Sequence, residues 1–159
     1  MTSRGMPTAD ELRDHLVRLV ETRLLDPLEI LLGEPAVAAA RRAADRTADD
    51  WVRTLLGADP AAATMAAARL IAALYPGDTA FDPPLGWWAT PLGRVVAHRV
   101  GHPGAAAVPY SVAGAMLGVS RQGVHDLVVR HKLDRHPDGG VRTESVRDRL
   151  AARASERTT

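Results

Sequence analysis

The run Ser111-Val112-Ala113-Gly114-Ala115-Met116-Leu117-Gly118-Val119-Ser120-Arg121-Gln122-Gly123-Val124-His125-Asp126-Leu127-Val128 constrains this chain more than any other stretch. Two short helices meeting at a tight turn need a residue that accepts positive φ between them, and Gly118 falls there. They need a small residue where they touch, and Gly114 lies one helical turn earlier. Ala113, Leu117, Val119, Val124 and Leu127 are spaced to fill one shared core, and Ser120 is placed to cap the second helix. Arg121, Gln122, His125, Asp126 and Arg130 are left facing outward. This is the pattern of a helix-turn-helix. Arginine and glutamine are also the side chains whose paired donors and acceptors match guanine and adenine edges in the major groove. The segment therefore reads as DNA-binding.

The charge distribution agrees. Net charge over the whole chain is only +1. Residues 1–90 hold 9 Lys+Arg against 13 Asp+Glu, a balance of −4, while residues 91–159 hold 11 against 6, a balance of +5. The second half also carries five of the six histidines. An acidic module joined to one that faces nucleic acid has this asymmetry.

The first half reads as helical. Thr8 and Glu11 form a capping box, after which Leu12, Leu16, Val17, Leu19, Val20 and Leu24 share one broad face. Asp26-Pro27 is expected to interrupt that helix, leaving a short apolar piece from Leu28 to Leu32 that ends at Gly33. Glu34-Pro35 opens a second helix running to Leu56, and Asp59-Pro60 opens a third running to Leu74. Trp87 and Trp88 sit in a Pro- and Gly-rich stretch and are expected to anchor a core or domain interface. Thr90-Pro91 starts a short helix to about Val100. The expected layout is a helical dimerisation or partner domain at 1–77, a connector at 78–109, and a DNA-binding domain at 110–159.

From Tyr110 to Leu150 the chain resembles the winged helix-turn-helix of excisionases and of MerR-type regulators. The resemblance rests on Leu117-Gly118-Val119-Ser120-Arg121, on Leu127-Val128-Val129-Arg130, and on Lys132-Leu133 leading into a wing. Asp138-Gly139-Gly140 supplies a hairpin turn, with Val141-Arg142 as its returning strand. A last helix, Thr143 to Arg153, would return Val146 and Leu150 to the core. The resemblance implies an all-α chain with a small β-wing, reading the major groove with helix 120–131 and touching backbone or minor groove with wing 133–142. It implies that Arg121, Gln122 and His125 face the bases, that Ser120, the cap of that helix, is among the DNA-binding residues, and that Arg130, Arg135 and Arg142 contact phosphates or the minor groove. Gly114 stands where the family usually has alanine. Gly123 lies inside the recognition helix, which implies close approach to DNA or a helix that firms up on binding. Asp126 is expected beside a cationic neighbour. The module here is C-terminal, without the coiled coil and effector domain that follow it in MerR regulators.

Several classes are set aside. With no cysteine there is no disulfide framework and no thiolate chemistry. His98 and His102 have a metal-like spacing, but Gly101-His102-Pro103 ends the helix and no acidic ligand is close in sequence, so no metal and no cofactor are expected. No G-x-S-x-G, Walker loop or H-E-x-x-H occurs, so no enzyme is expected, and Asp49-Asp50 reads as a solvated helix face. Met1 to Pro7 is short and polar, and no segment has the roughly 18 unbroken apolar residues of a membrane helix. The sequence thus predicts a cytoplasmic, nucleoid-associated regulator of transcription, dimeric through its N-terminal helices and bound to double-stranded DNA. A nucleoid-architectural or recombination-accessory role remains open, as does an antitoxin- or adaptor-type module whose acidic N-terminal domain holds a protein partner.

Overall fold

Thr8 starts the first helix as its spacing to Glu11 requires. The Glu11 amide donates to Thr8 Oγ1 at 3.2 Å and the Thr8 amide donates to Glu11 Oε2 at 2.8 Å. Two of the amides that lack a partner in the helix are satisfied by this exchange. The computed structural model describes residues 5–158; Met1–Arg4, part of the polar N-terminus noted above, and Thr159 lie outside them.

Helix α1 (Ala9–Val20) does not break at Asp26-Pro27. A π-helical turn, Glu21–Leu25, carries it into α2 (Asp26–Leu32). The expected interruption is absent because the turn widens: the Asp26 amide donates to Glu21 O, five residues back. A wider turn makes room for a proline, which has no N–H and whose ring would crowd the carbonyl four residues earlier. Helices α3 (Glu34–Leu56) and α4 (Pro60–Leu74) follow, with Asp59 Oδ1 accepting from Ala61 N at 3.0 Å and Ala62 N at 3.2 Å.

These helices form one unit, Thr8–Pro76. Its core is Leu12, Leu16, Val20 and Leu25 against Val37, Ala48, Val52 and Leu55 of α3, and Ala63, Ala67, Leu70, Ile71 and Leu74 of α4. Arg13 ties α1 to α3 through Asp49 at 2.8 Å and Asp45 at 3.1 Å. Asp50 is paired with Arg53. Asp49 and Asp50 are thus ion-paired rather than simply solvated.

The second unit takes in residues 77–158 together with residues 5–7. The stretch 78–109 was expected to be a connector, yet it packs inside this unit. A 3₁₀ turn at Leu85–Ala89 buries Trp87 and Trp88 edge to face, with ring centroids 5.0 Å apart. Helix α5 (Pro91–Arg99), capped by Thr90, packs on that turn and on the last helix, α8 (Thr143–Thr158). Two aromatic rings of this size are a large share of a small core, so the segment that carries them is held in the unit and is not a loose tether. Strand β1 (Ala107–Val108) precedes α6 (Tyr110–Leu117) and α7 (Arg121–Val129), and strand β2 (Val141–Arg142) follows them. β1 and β2 pair antiparallel, Ala107 with Arg142 and Val108 with Val141. Among the described residues, the chain is mostly helical with this one small antiparallel sheet.

Candidate nucleic-acid interface

Helices α6 and α7 meet at Gly118, whose φ of 75° lies in the left-handed region. The Gly118 and Val119 amides both donate to the Gly114 carbonyl, at 2.8 and 3.0 Å, and this closes α6. The chain then passes so close to α6 that a Cβ on Gly114 would stand 2.7 Å from Val119 O. Even alanine is too large there without a backbone shift. Ser120 Oγ accepts from the Gly123 amide at 3.0 Å and starts α7. Ala113, Leu117 and Val124 are buried, while Val119 and Leu127 are only partly so. Met116 completes the core at 1% exposure, a contribution the spacing argument had not assigned.

Gly123 has a different role from the one expected. A Cβ there would face Ser120 Oγ at 3.3 Å and Val119 Cβ at 3.4 Å, inward against the cap. The position is therefore not one where the backbone approaches a ligand, and α7 is already helical through it. Asp126 also differs: its Oδ1 accepts from Gln122 Nε2 at 3.1 Å, so its neighbour is a neutral amide rather than a cation. That i,i+4 pair is worth only about 0.2–0.5 kcal/mol, so a base edge can compete for Gln122.

The C-terminus of α7 closes without glycine. His131 takes φ 58°, its amide donates to Val128 O at 3.1 Å and the Lys132 amide to Leu127 O at 2.8 Å. This is the Schellman pattern, with histidine in the left-handed place. Arg130 is the cap residue and is exposed.

Leu133 is buried and anchors the loop that follows. Arg135 bridges Val141, the Arg142 amide donates to Asp134 O at 2.8 Å, and the His136 amide donates to Gly140 O at 3.0 Å. Gly139 and Gly140 have φ of 104° and 77°, as a turn at Asp138-Gly139-Gly140 needs. The returning strand pairs on its other side with β1, which has no alternating pattern in sequence. Ser145 Oγ bonds both ends of this loop, accepting from Asp134 N at 3.1 Å and donating to Arg142 O at 2.9 Å. Val146 and Leu150 of α8 are buried as expected.

Arg121, Gln122, His125 and Arg130 thus lie exposed along α7, with Arg135 and Arg142 exposed on the loop and strand behind it. Arg121, Arg135 and His125 also line one cleft of 450 Å³ with Pro109, Tyr110 and Gly140. Tyr110 was not among the expected site residues. Its ring lies 6.4 Å from that of His125, and in sequence its one distinguishing sign is its place after Pro109 at a helix start.

His98 and His102 each engage a backbone group through Nδ1. His98 Nδ1 bonds Arg94 O at 2.8 Å, and His102 Nδ1 accepts from Gly104 N at 3.0 Å. Burial pushes both imidazoles below their ordinary pKa; Arg157, Arg153 and Arg94 add to this at His98, while Asp82 opposes it at His102. Among the described residues no helix is long and apolar enough to cross a membrane. No family model, no curated protein and no solved structure matches the chain.

Proposed function

We propose that residues 110–150 are a winged helix-turn-helix and that the protein is a sequence-specific DNA-binding regulator of transcription acting in the cytoplasm. In this reading α7 enters the major groove with Arg121, Gln122 and His125 foremost. Ser120 caps the helix at the groove edge, and Arg130, Arg135 and Arg142 meet the sugar-phosphate backbone or the minor groove.

One observation carries the reading. The side chains of Arg121, Arg130, Arg135 and Arg142 are exposed and form no ion pair among the described residues. In the N-terminal unit Arg13, Arg41 and Arg53 are held by carboxylates, and its exposed Arg18, Arg42, Arg46 and Arg69 stand among a surplus of acidic residues. Unpaired arginines on α7 and on the loop and strand behind it, around a helix stiffened by a left-handed turn and a serine cap, suit an anionic partner that supplies the missing charge. The N-terminal unit would join two copies, so that two recognition helices read two half-sites. In support, Ile30, Leu31 and Leu32 are 84%, 77% and 66% exposed at the end of α2, more aliphatic surface than a helix tip in water normally shows.

Footprinting on genomic DNA tests the role. A few discrete, two-fold symmetric protected sites are expected of a regulator. Continuous cooperative coverage would replace that role with an architectural one, and no protection at any concentration would remove DNA from the account.

A further inference from the structure

The cleft beside Tyr110 is recessed, whereas the outward edge of α7 projects. A projecting edge suits the floor of the major groove, and a recess suits a group that itself projects from the duplex. We infer that this cleft seats one backbone phosphate of double-stranded DNA, gripped by Arg121 and Arg135 with the Tyr110 hydroxyl as a third donor. The inference rests on the DNA-binding reading above and moves Arg121 from base recognition to backbone contact.

The chemistry of the walls is one-sided. Pro109, Tyr110, Arg121, His125, Arg135 and Gly140 line the cleft, and no carboxylate is among them. Two guanidinium groups sharing a recess repel each other unless an anion lies between them. A phosphodiester offers two charged oxygens to such forks, and a phenol O–H adds a neutral donor. The recess is also held open by backbone. The Val108–Val141 pair joins its floor to the wing, and Arg135 is fixed by its bridge to Val141. Gly140 lies so close to β1 that a Cβ would stand 2.5 Å from Val108 O. Arg135 from the loop and Arg121 from α7 therefore line one cleft whose backbone frame is formed without DNA.

A single phosphate held by two arginines leaves a signature in the salt dependence. Each phosphate neutralised contributes about 0.9 to the slope of log K against log salt. The test measures binding of the full-length protein to a random-sequence duplex and to a duplex selected by the wild type, across a salt series. Arg121→Ala and Arg135→Ala are each expected to weaken both duplexes alike and to lower the slope by less than about 0.9, because the remaining arginine still neutralises the phosphate, and the double variant to lower it by about 0.9 in all, not twice that. Tyr110→Phe is expected to weaken both about threefold to tenfold with the slope unchanged, as loss of a neutral hydrogen bond does. Arg121→Lys and Arg135→Lys keep the charge and are expected to keep the slope. One methylphosphonate placed along the duplex should, at a single position, make the wild type behave as the double variant. A loss for Arg121→Ala confined to the selected duplex, or a slope that falls twice in the double variant, would overturn the shared seat while leaving DNA binding intact. A wild type that binds neither duplex would overturn the DNA reading itself.

Discussion

Glycine has three distinct roles within ten residues of this chain. At Gly118 the backbone is left-handed, a conformation that costs an L-residue about 1–2 kcal/mol. At Gly114 the φ is ordinary and the space is missing, because Val119 O lies 2.7 Å from where a Cβ would be. At Gly123 the space is tight but open to a small side-chain shift, with Ser120 Oγ 3.3 Å from where a Cβ would be, and the residue forgoes about 1 kcal/mol of helix propensity relative to alanine. Urea unfolding should separate the three. Gly118→Ala is expected to destabilise by about 1–2 kcal/mol and Gly114→Ala by at least as much, since backbone must move. Gly123→Ala is expected to be neutral or stabilising by up to about 1 kcal/mol. A large loss at Gly123 would mean the cap at Ser120 is tighter than its geometry indicates.

The buried histidines set a second expectation at this scale. His98 and His102 are lowered below 6.5 by burial, and the arginines near His98 push the same way. Below pH of about 6.5 the unfolded chain therefore binds protons that the folded chain excludes. Stability should be full above that pH and fall as the pH drops through it. Melting at pH 7.5 and 5.5 checks this, and His98→Gln should flatten the difference; a Tm that rises on acidification would contradict it.

At the scale of elements, what was legible in the sequence was local. Thr8 with Glu11, Asp59 with Pro60, and Thr90 with Pro91 each mark a helix start through capping contacts two or three residues apart, and all three starts are present. Elements that depend on distant partners were hidden. β1 is two residues of an Ala-Val-Pro run and exists because Val141 and Arg142 pair with it from beyond both helices. The π turn was hidden for another reason, since a proline signals a break but not which wider hydrogen bond absorbs it. The cleft at Tyr110 draws on the start of α6, on α7 and on the loop at 134–142, so no single stretch announces it. The wing itself hangs on Ser145. Ser145→Ala removes two hydrogen bonds and is expected to cost about 1–2 kcal/mol in stability. It should also weaken binding to random and selected DNA alike. Unchanged DNA affinity would show that the loop at 134–142 does not touch the duplex.

Over the whole molecule, charge and ion pairing divide the labour. The N-terminal unit satisfies Arg13, Arg41 and Arg53 internally, and carries its unmatched surface as the aliphatic tip around Ile30, Leu31 and Leu32. The C-terminal unit buries Trp87 and Trp88 and leaves Arg121, Arg130, Arg135 and Arg142 exposed. The proposed function, a helical unit that associates and a basic unit that reads DNA, would account for both surfaces together. It would also explain why a net charge of +1 hides a basic half.

The central claim is that α7 reads base sequence. It is tested most directly by the affinity of wild type and Gln122→Ala for a duplex selected from a random pool, set against a random duplex at the same salt. The account expects the pool to converge on a defined motif. It expects Gln122→Ala to lose about 1–3 kcal/mol on that motif and almost nothing on the random duplex. No convergence, or an equal loss on both duplexes, would contradict it.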